Sequence, residues 1–131
     1  MKYDLLIKQA IDAREKAYAP YSQFKVGAAV LTEDNKLYTG CNIENASYGA
    51  TNCAERTAIY KAVSEGHCKI KALAVVGNEK EFTYPCGICR QVIQEFATED
   101  FQIIIIKNKD EYIVKTLLEI FPLAFDNSSM K

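Results

Sequence analysis

Three cysteines and one carboxylate in this chain have the types and spacing for metal-assisted hydrolysis. Cys53 lies in Asn52-Cys53-Ala54-Glu55-Arg56, and Cys86 and Cys89 lie in Tyr84-Pro85-Cys86-Gly87-Ile88-Cys89-Arg90. Each run opens a segment that reads as a helix. Three thiolates hold one zinc ion and leave one tetrahedral position open, the arrangement of a catalytic rather than a structural site. The open position holds water, and a nearby carboxylate moves that water's proton. Glu55 follows Cys53 by two positions. Its side chain therefore leaves the helix in another direction, as suits a proton carrier that does not bind the metal.

Zinc takes thiolate, so each ligand must lose a proton. The positive end of a helix dipole favours that loss. Cys53 and Cys86 are expected at helix starts, with Cys89 one turn beyond Cys86. Three thiolates overbalance a divalent ion, and the excess charge weakens it as a Lewis acid. Arg56 and Arg90, each beside a ligand in sequence, are placed to offset this by hydrogen bonding to sulfur. Arg56 is the expected partner.

Two other readings use the same cysteines. A structural zinc site would draw a fourth ligand from Cys41, Cys68 or His67. A thiol redox pair would use Cys86-Gly87-Ile88-Cys89 alone. The first gives Glu55 no purpose, and the second leaves Cys53 and Glu55 unused. Cys41 and Cys68 read as packed or free thiols, and His67 as a surface residue at a helix end.

Apolar periodicity predicts the elements that carry these residues. Residues 3–18 form an amphipathic helix stopped at Ala19-Pro20. Residues 26–31 and 36–43 form a hairpin about Glu33-Asp34-Asn35. A polar loop over 44–52 delivers the chain to a helix over 53–65, closed by Gly66. A strand over 73–76 and a helix over 86–97 follow. Four isoleucines, residues 103–106, mark a strand buried on both faces. A turn and a strand over 112–114 lead to a short helix capped by Thr116 and closed by Pro122. The unit over 73–106 is expected to be a parallel crossover, and the last strand antiparallel. The sum is an α/β chain with a five-stranded mixed sheet covered by helices.

At 131 residues the chain fits one domain, residues 1–131, large enough for a core of its own. Sixteen basic and seventeen acidic residues give a formal net charge of −1. Without clustered basic residues, a nucleic acid is not the expected partner. No run is long enough for a transmembrane helix, and the first residues lack a signal-peptide pattern. A cytoplasmic location and no membrane partner are expected. In a reducing compartment, cysteines at metal spacing bind metal or react rather than form disulfides.

Beyond these residues the chain resembles the small homotetrameric cytidine deaminases of the three-cysteine zinc type. The segments that carry the resemblance span nearly the whole chain. They are Tyr21-Ser22-Gln23-Phe24-Lys25-Val26-Gly27-Ala28-Ala29, the run from Gly40 to Gly49, the two cysteine runs, and Phe121-Pro122-Leu123-Ala124-Phe125. The zinc segments are shared with other deaminases. Asn42-Ile43-Glu44-Asn45-Ala46-Ser47-Tyr48-Gly49 is much more specific. The resemblance implies a three-layer α-β-α fold and pyrimidine salvage by hydrolysis of cytidine and 2′-deoxycytidine to the uridine products and ammonia. It implies one zinc on Cys53, Cys86 and Cys89, with Glu55 as proton shuttle. Asn42 and Glu44 would bind the ribose hydroxyls, Phe24 would pack on the nucleoside, and the Ala54 backbone would meet the pyrimidine. Phe125 would enter a neighbouring subunit's site in a homotetramer. Alone, Phe24 and Phe125 read equally well as core aromatics, and Asn42 and Glu44 as loop polar groups. Tyr48 and Tyr60 are left without a role.

Overall fold

The computed structural model describes residues 3–130. Its described elements, in chain order, are α1 (Asp4–Arg14), β1 (Gly27–Thr32), β2 (Leu37–Cys41), α2 (Ala54–Ser64), β3 (Ile70–Val76), α3 (Gly87–Phe96), β4 (Ala97–Asn108), β5 (Glu111–Thr116) and α4 (Leu117–Ile120). Single 3-10 turns occupy Tyr48–Ala50 and Asn127–Met130. The sheet order is β2-β1-β3-β4-β5. Among the five described strands, β3 and β4 pair in parallel and the other neighbours are antiparallel. The five-stranded mixed sheet expected from the sequence is therefore present.

Strand alternation splits the core into two layers. Ala29, Ala74, Ile104 and Ile106 pack with Leu6, Ile7 and Ala10 of α1. Ala28, Val30, Val75, Ile103 and Ile105 pack with Ala58 and Ile59 of α2, Ile93 of α3 and Ile120 of α4. The isoleucine run thus points alternately into both layers. Two glycines set the spacing. A Cβ on Gly27 would stand 2.1 Å from the Ala10 carbonyl oxygen. One on Gly40 would stand 2.5 Å from Ala58 N and 2.6 Å from Ala54 O. Both helices therefore rest directly on strand backbone, and α2 does so over its first turn, where the site residues sit.

The expected boundaries shift where long-range pairing intervenes. The first helix ends at Arg14, not residue 18. Tyr18 instead exchanges backbone hydrogen bonds with the segment after β2: its N–H reaches Asn42 O at 3.0 Å, and Glu44 N–H reaches its carbonyl at 2.8 Å. Arg14 Nη1 donates to Gly77 O at 2.6 Å, tying the helix end to the chain just beyond β3. Strand β3 begins at Ile70, three residues early, and β4 begins at Ala97 with no loop after α3, because Ile70 and Ala97 pair. The helix ends behave as expected. Gly66 has φ +96°, with Gly66 N–H on Val63 O at 3.0 Å and His67 N–H on Ala62 O at 3.0 Å, a Schellman closure. Thr116 and Glu119 form a capping box on α4. Asn35 takes φ +67° in the hairpin turn, a conformation asparagine tolerates.

Candidate active site

Cys53 is the N-cap of α2 and Cys86 the N-cap of α3, while Cys89 is buried one turn into α3. The two helix starts converge, so that the three Sγ atoms lie within 4.8 Å of one another. Cys53 Sγ and Cys86 Sγ are 3.7 Å apart. Two sulfurs each about 2.3 Å from a tetrahedral zinc stand about 3.8 Å apart, so this pair already has a zinc site's spacing. Three soft donors within 4.8 Å of one another, at two positive helix ends, fit zinc well. The Cys53 thiol is lowered to about 5. The neighbouring Cys89 thiol is the largest cause, with help from Arg56 and Cys86 against the cost of burial.

Arg56 Nη2 donates to Cys53 Sγ at 3.2 Å. The guanidinium thus meets one sulfur of the cluster. Arg90 does not share that task. Its Nε donates to Pro85 O at 2.9 Å and its Nη1 to Ile120 O, which ties α3 to α4. Neither remaining candidate for a fourth ligand at the helix end is close. His67 lies beyond the far end of α2, with Nδ1 3.1 Å from Asp34 Oδ2, and Cys68 follows it. Cys41 lines a separate cavity with Lys16 and Lys61. Among the described residues, the metal-capable cluster consists of Cys53, Cys86 and Cys89.

Glu55 is 4% exposed, and burial pushes its carboxyl up to about 7. It lines a cavity of about 240 Å³ together with Phe24, Asn42, Glu44, Cys53, Ala54 and Cys86. Most of the residues singled out in the sequence thus meet around one space. Ser22, Val26, Thr51, Asn52, Thr83 and Tyr84 also line it; of these, Thr51 and Thr83 stand outside every run singled out in the sequence. The Thr83 Oγ1 is buried without a hydrogen-bond partner among the described residues. Among the described residues, no lysine or arginine lines this cavity. None lines the adjoining cavity of about 300 Å³, which shares Ser22, Glu44 and Thr51 and adds Tyr21, Asn45 and Tyr48.

Glu44 Oε1 accepts from Tyr21 N–H at 2.9 Å and Ser22 N–H at 3.0 Å, while Oε2 accepts from Ser22 Oγ. These bonds, the Ser22 hydroxyl's foremost, hold its carboxyl below the usual carboxylate range. Asn42 is 8% exposed, its Oδ1 accepting from Val26 N–H and its Nδ2 donating to Phe24 O, each at 2.8 Å. Phe125 stands apart from the cavity, 59% exposed, with its carbonyl held by Gln91 Nε2 at 2.8 Å. Tyr48 and Tyr60 are exposed as well.

Known proteins are similar to this chain in both sequence and fold. A family model described as the cytidine and deoxycytidylate deaminase zinc-binding region matches residues 1–105. The chain is 48% identical over 130 residues to a cytidine deaminase of Halalkalibacterium halodurans, covering 99% of this chain and 98% of the relative. It is 47% identical to one of Sporosarcina psychrophila, covering 99% and 96%. The crystal structure of cytidine deaminase from Burkholderia pseudomallei superposes with a TM-score of 0.89 at 46% identity, over 95% of this chain and all of that one. That of the Mycobacterium tuberculosis enzyme gives 0.84 at 38%, over 95% and 98%. With its paired cysteine-bearing helix starts and buried Glu55 on the same five-stranded sheet, the chain belongs to the cytidine and deoxycytidylate deaminase family of enzymes.

Proposed function

We propose that this protein is a zinc-dependent cytidine deaminase. It hydrolyses cytidine and 2′-deoxycytidine to uridine and 2′-deoxyuridine with release of ammonia, a reaction of pyrimidine salvage. The observation that carries the reading is the shared cavity: a buried carboxylic acid, two sulfurs of the three-cysteine cluster, an aromatic ring and the Glu44 carboxylate line one space of about 240 Å³, with Cys89 buried behind them. One zinc per subunit, held by Cys53, Cys86 and Cys89, supplies Lewis acidity and brings the pKa of water towards neutrality.

The chain's own groups supply the rest. Glu55 takes a proton from the attacking water and passes it to the ring nitrogen beside C4. It then takes the second proton and delivers it to the departing amine, so one carboxyl serves as base and acid in turn. Its desolvated setting places it near the pKa such a shuttle needs. Ala54 opens α2, so its N–H has no partner within the helix and is available to the pyrimidine. The Phe24 ring packs on the nucleoside. Glu44 offers a ribose hydroxyl its remaining acceptor position, and Asn42 one free amide hydrogen.

The charge of the cavity favours a nucleoside over its monophosphate. A phosphate would meet the Glu44 carboxylate with no lysine or arginine among the described residues of the lining. That balance also argues against a nucleic acid as substrate. A homotetramer in the cytoplasm accounts best for the C-terminal surface. There Leu118 and Leu123 are exposed around a groove of about 400 Å³, and Phe125 projects beside it. In that assembly Phe125 completes a neighbour's site. No described helix is long and apolar enough to cross a membrane.

The test is ultraviolet absorbance of cytidine mixed with zinc-loaded protein. Loss of the cytosine band with stoichiometric ammonia is expected. An unchanged spectrum would overturn the reading, and faster turnover of cytidine monophosphate would reassign the substrate.

A further inference from the structure

Asn42 and Glu44 grip the segment that carries Phe24, and they do so with no ligand involved. The segment has little regular structure of its own. Gln23, immediately before Phe24, takes φ +59°, a conformation that a residue with a side chain holds only under constraint. The constraint comes from both sides. Glu44 accepts from Tyr21 N–H, Ser22 N–H and Ser22 Oγ, and Ser22 Oγ in turn accepts from Phe24 N–H at 3.0 Å. Asn42 accepts from Val26 N–H and donates to Phe24 O. These two groups flank Lys25 and point the same way, as a neighbouring strand would find them. The Asn42 amide therefore acts as one residue of an added strand.

Asn42 is itself fixed. Its backbone N–H reaches Val26 O at 3.2 Å, and its carbonyl accepts from Tyr18 N–H. A buried amide so engaged has one hydrogen and one oxygen lone pair left for a ligand, each on an atom already committed to the Phe24 segment. Turning it to give more would leave Val26 N–H or Phe24 O without a partner in a buried place, a costly exchange.

We infer that Asn42 acts on the reaction chiefly as a positioning residue: it holds the Phe24 backbone so that the ring stands against the nucleoside, and it reads the sugar hydroxyls only secondarily. The inference rests on the cytidine reading above and divides the labour within it. Glu44, with an acceptor to spare, reads the sugar; Asn42 sets the wall against which the nucleoside packs.

The test compares Asn42→Asp with wild type on cytidine and on 2′,3′-dideoxycytidine, which has no hydroxyl at either ring position. The carboxylate still accepts from Val26 N–H but cannot donate to Phe24 O. A loss of about tenfold in kcat/KM is expected, mostly as raised KM. The same factor, within about threefold, is expected on both substrates, because the lost contact is to Phe24 and not to the sugar. A loss confined to cytidine would overturn the inference.

A second measurement needs no variant. Amide hydrogen exchange at Val26 in wild-type protein reports whether Asn42 Oδ1 stays in place. Equal protection with and without saturating uridine is expected. Faster exchange with uridine would show the amide turning to the sugar and would overturn the inference. Wild type inactive on both substrates would instead bring down the cytidine reading, and Val26 protection would still report Asn42's hold on the segment.

Discussion

Arg56 lies one helical turn beyond Cys53, and its Nη2 stands 3.2 Å from the Cys53 sulfur. The contact places a permanent positive charge on a cluster whose three thiolates outnumber the charge of the ion they suit. Arg56→Gln keeps length and a donor but removes the charge. Zinc affinity is expected to fall by about 10–100-fold, as for other outer partners of metal ligands. Competition with a chromogenic chelator measures it, and an unchanged dissociation constant would remove Arg56 from this role.

The proposed function gives Glu55 and the cysteines separable tasks. Glu55→Gln preserves shape and removes the proton carrier. Activity is expected to drop by at least about 10²-fold while zinc content stays at one per chain. Elemental analysis alongside the absorbance assay checks both. Loss of zinc with loss of activity would instead make Glu55 part of the metal site.

Gly40 carries the first turn of α2 directly on β2. A methyl group at Gly40 meets helix backbone at 2.5 and 2.6 Å, which a side-chain adjustment cannot relieve. Gly40→Ala is expected to destabilise the protein by about 1–3 kcal/mol and to weaken zinc binding, because the turn that moves bears Cys53 and Glu55. Gly49→Ala is the control. No atom lies within 4 Å of its added carbon, so melting temperature and zinc affinity are expected to stay unchanged. Thermal unfolding of both zinc-loaded variants distinguishes them.

Phe125 lies outside its own chain's cavity. If it completes a neighbour's site, two inactive variants can repair each other. Phe125→Ala and Glu55→Gln subunits, mixed and reassociated, are expected to recover part of the wild-type rate. Some sites then combine an intact Glu55 with a neighbour's intact Phe125. No recovery in verified mixed oligomers would place Phe125 within its own subunit's chemistry.

Much of the site was legible because its signals are local. Pro85 ahead of Cys86, the Cys-x-x-Cys step and the apolar stripe from Ala58 to Ala62 mark two helix starts, and helix starts are where the sulfurs meet. Four isoleucines in a row mark a strand covered twice. What stayed hidden depends on partners distant in sequence. The first helix stops at Arg14 because Tyr18 pairs with the chain near Asn42, a contact across some two dozen residues. The early starts of β3 and β4 are set by Ile70 pairing with Ala97, which neither polar flank announces. Thr51 and Thr83 enter the cavity from loops without periodicity. Asn42 drew notice as a sugar contact, and its grip on Phe24 appears only once the segments lie side by side.

The most direct test of the central claim is the zinc X-ray absorption spectrum of the purified, metal-replete protein. Three sulfur neighbours at about 2.3 Å and one oxygen or nitrogen at about 2.0 Å are expected, with the lighter neighbour displaced or altered by a nucleoside analogue. A fourth sulfur, a shell unchanged by the analogue, or no bound zinc would contradict a catalytic metal served by Glu55.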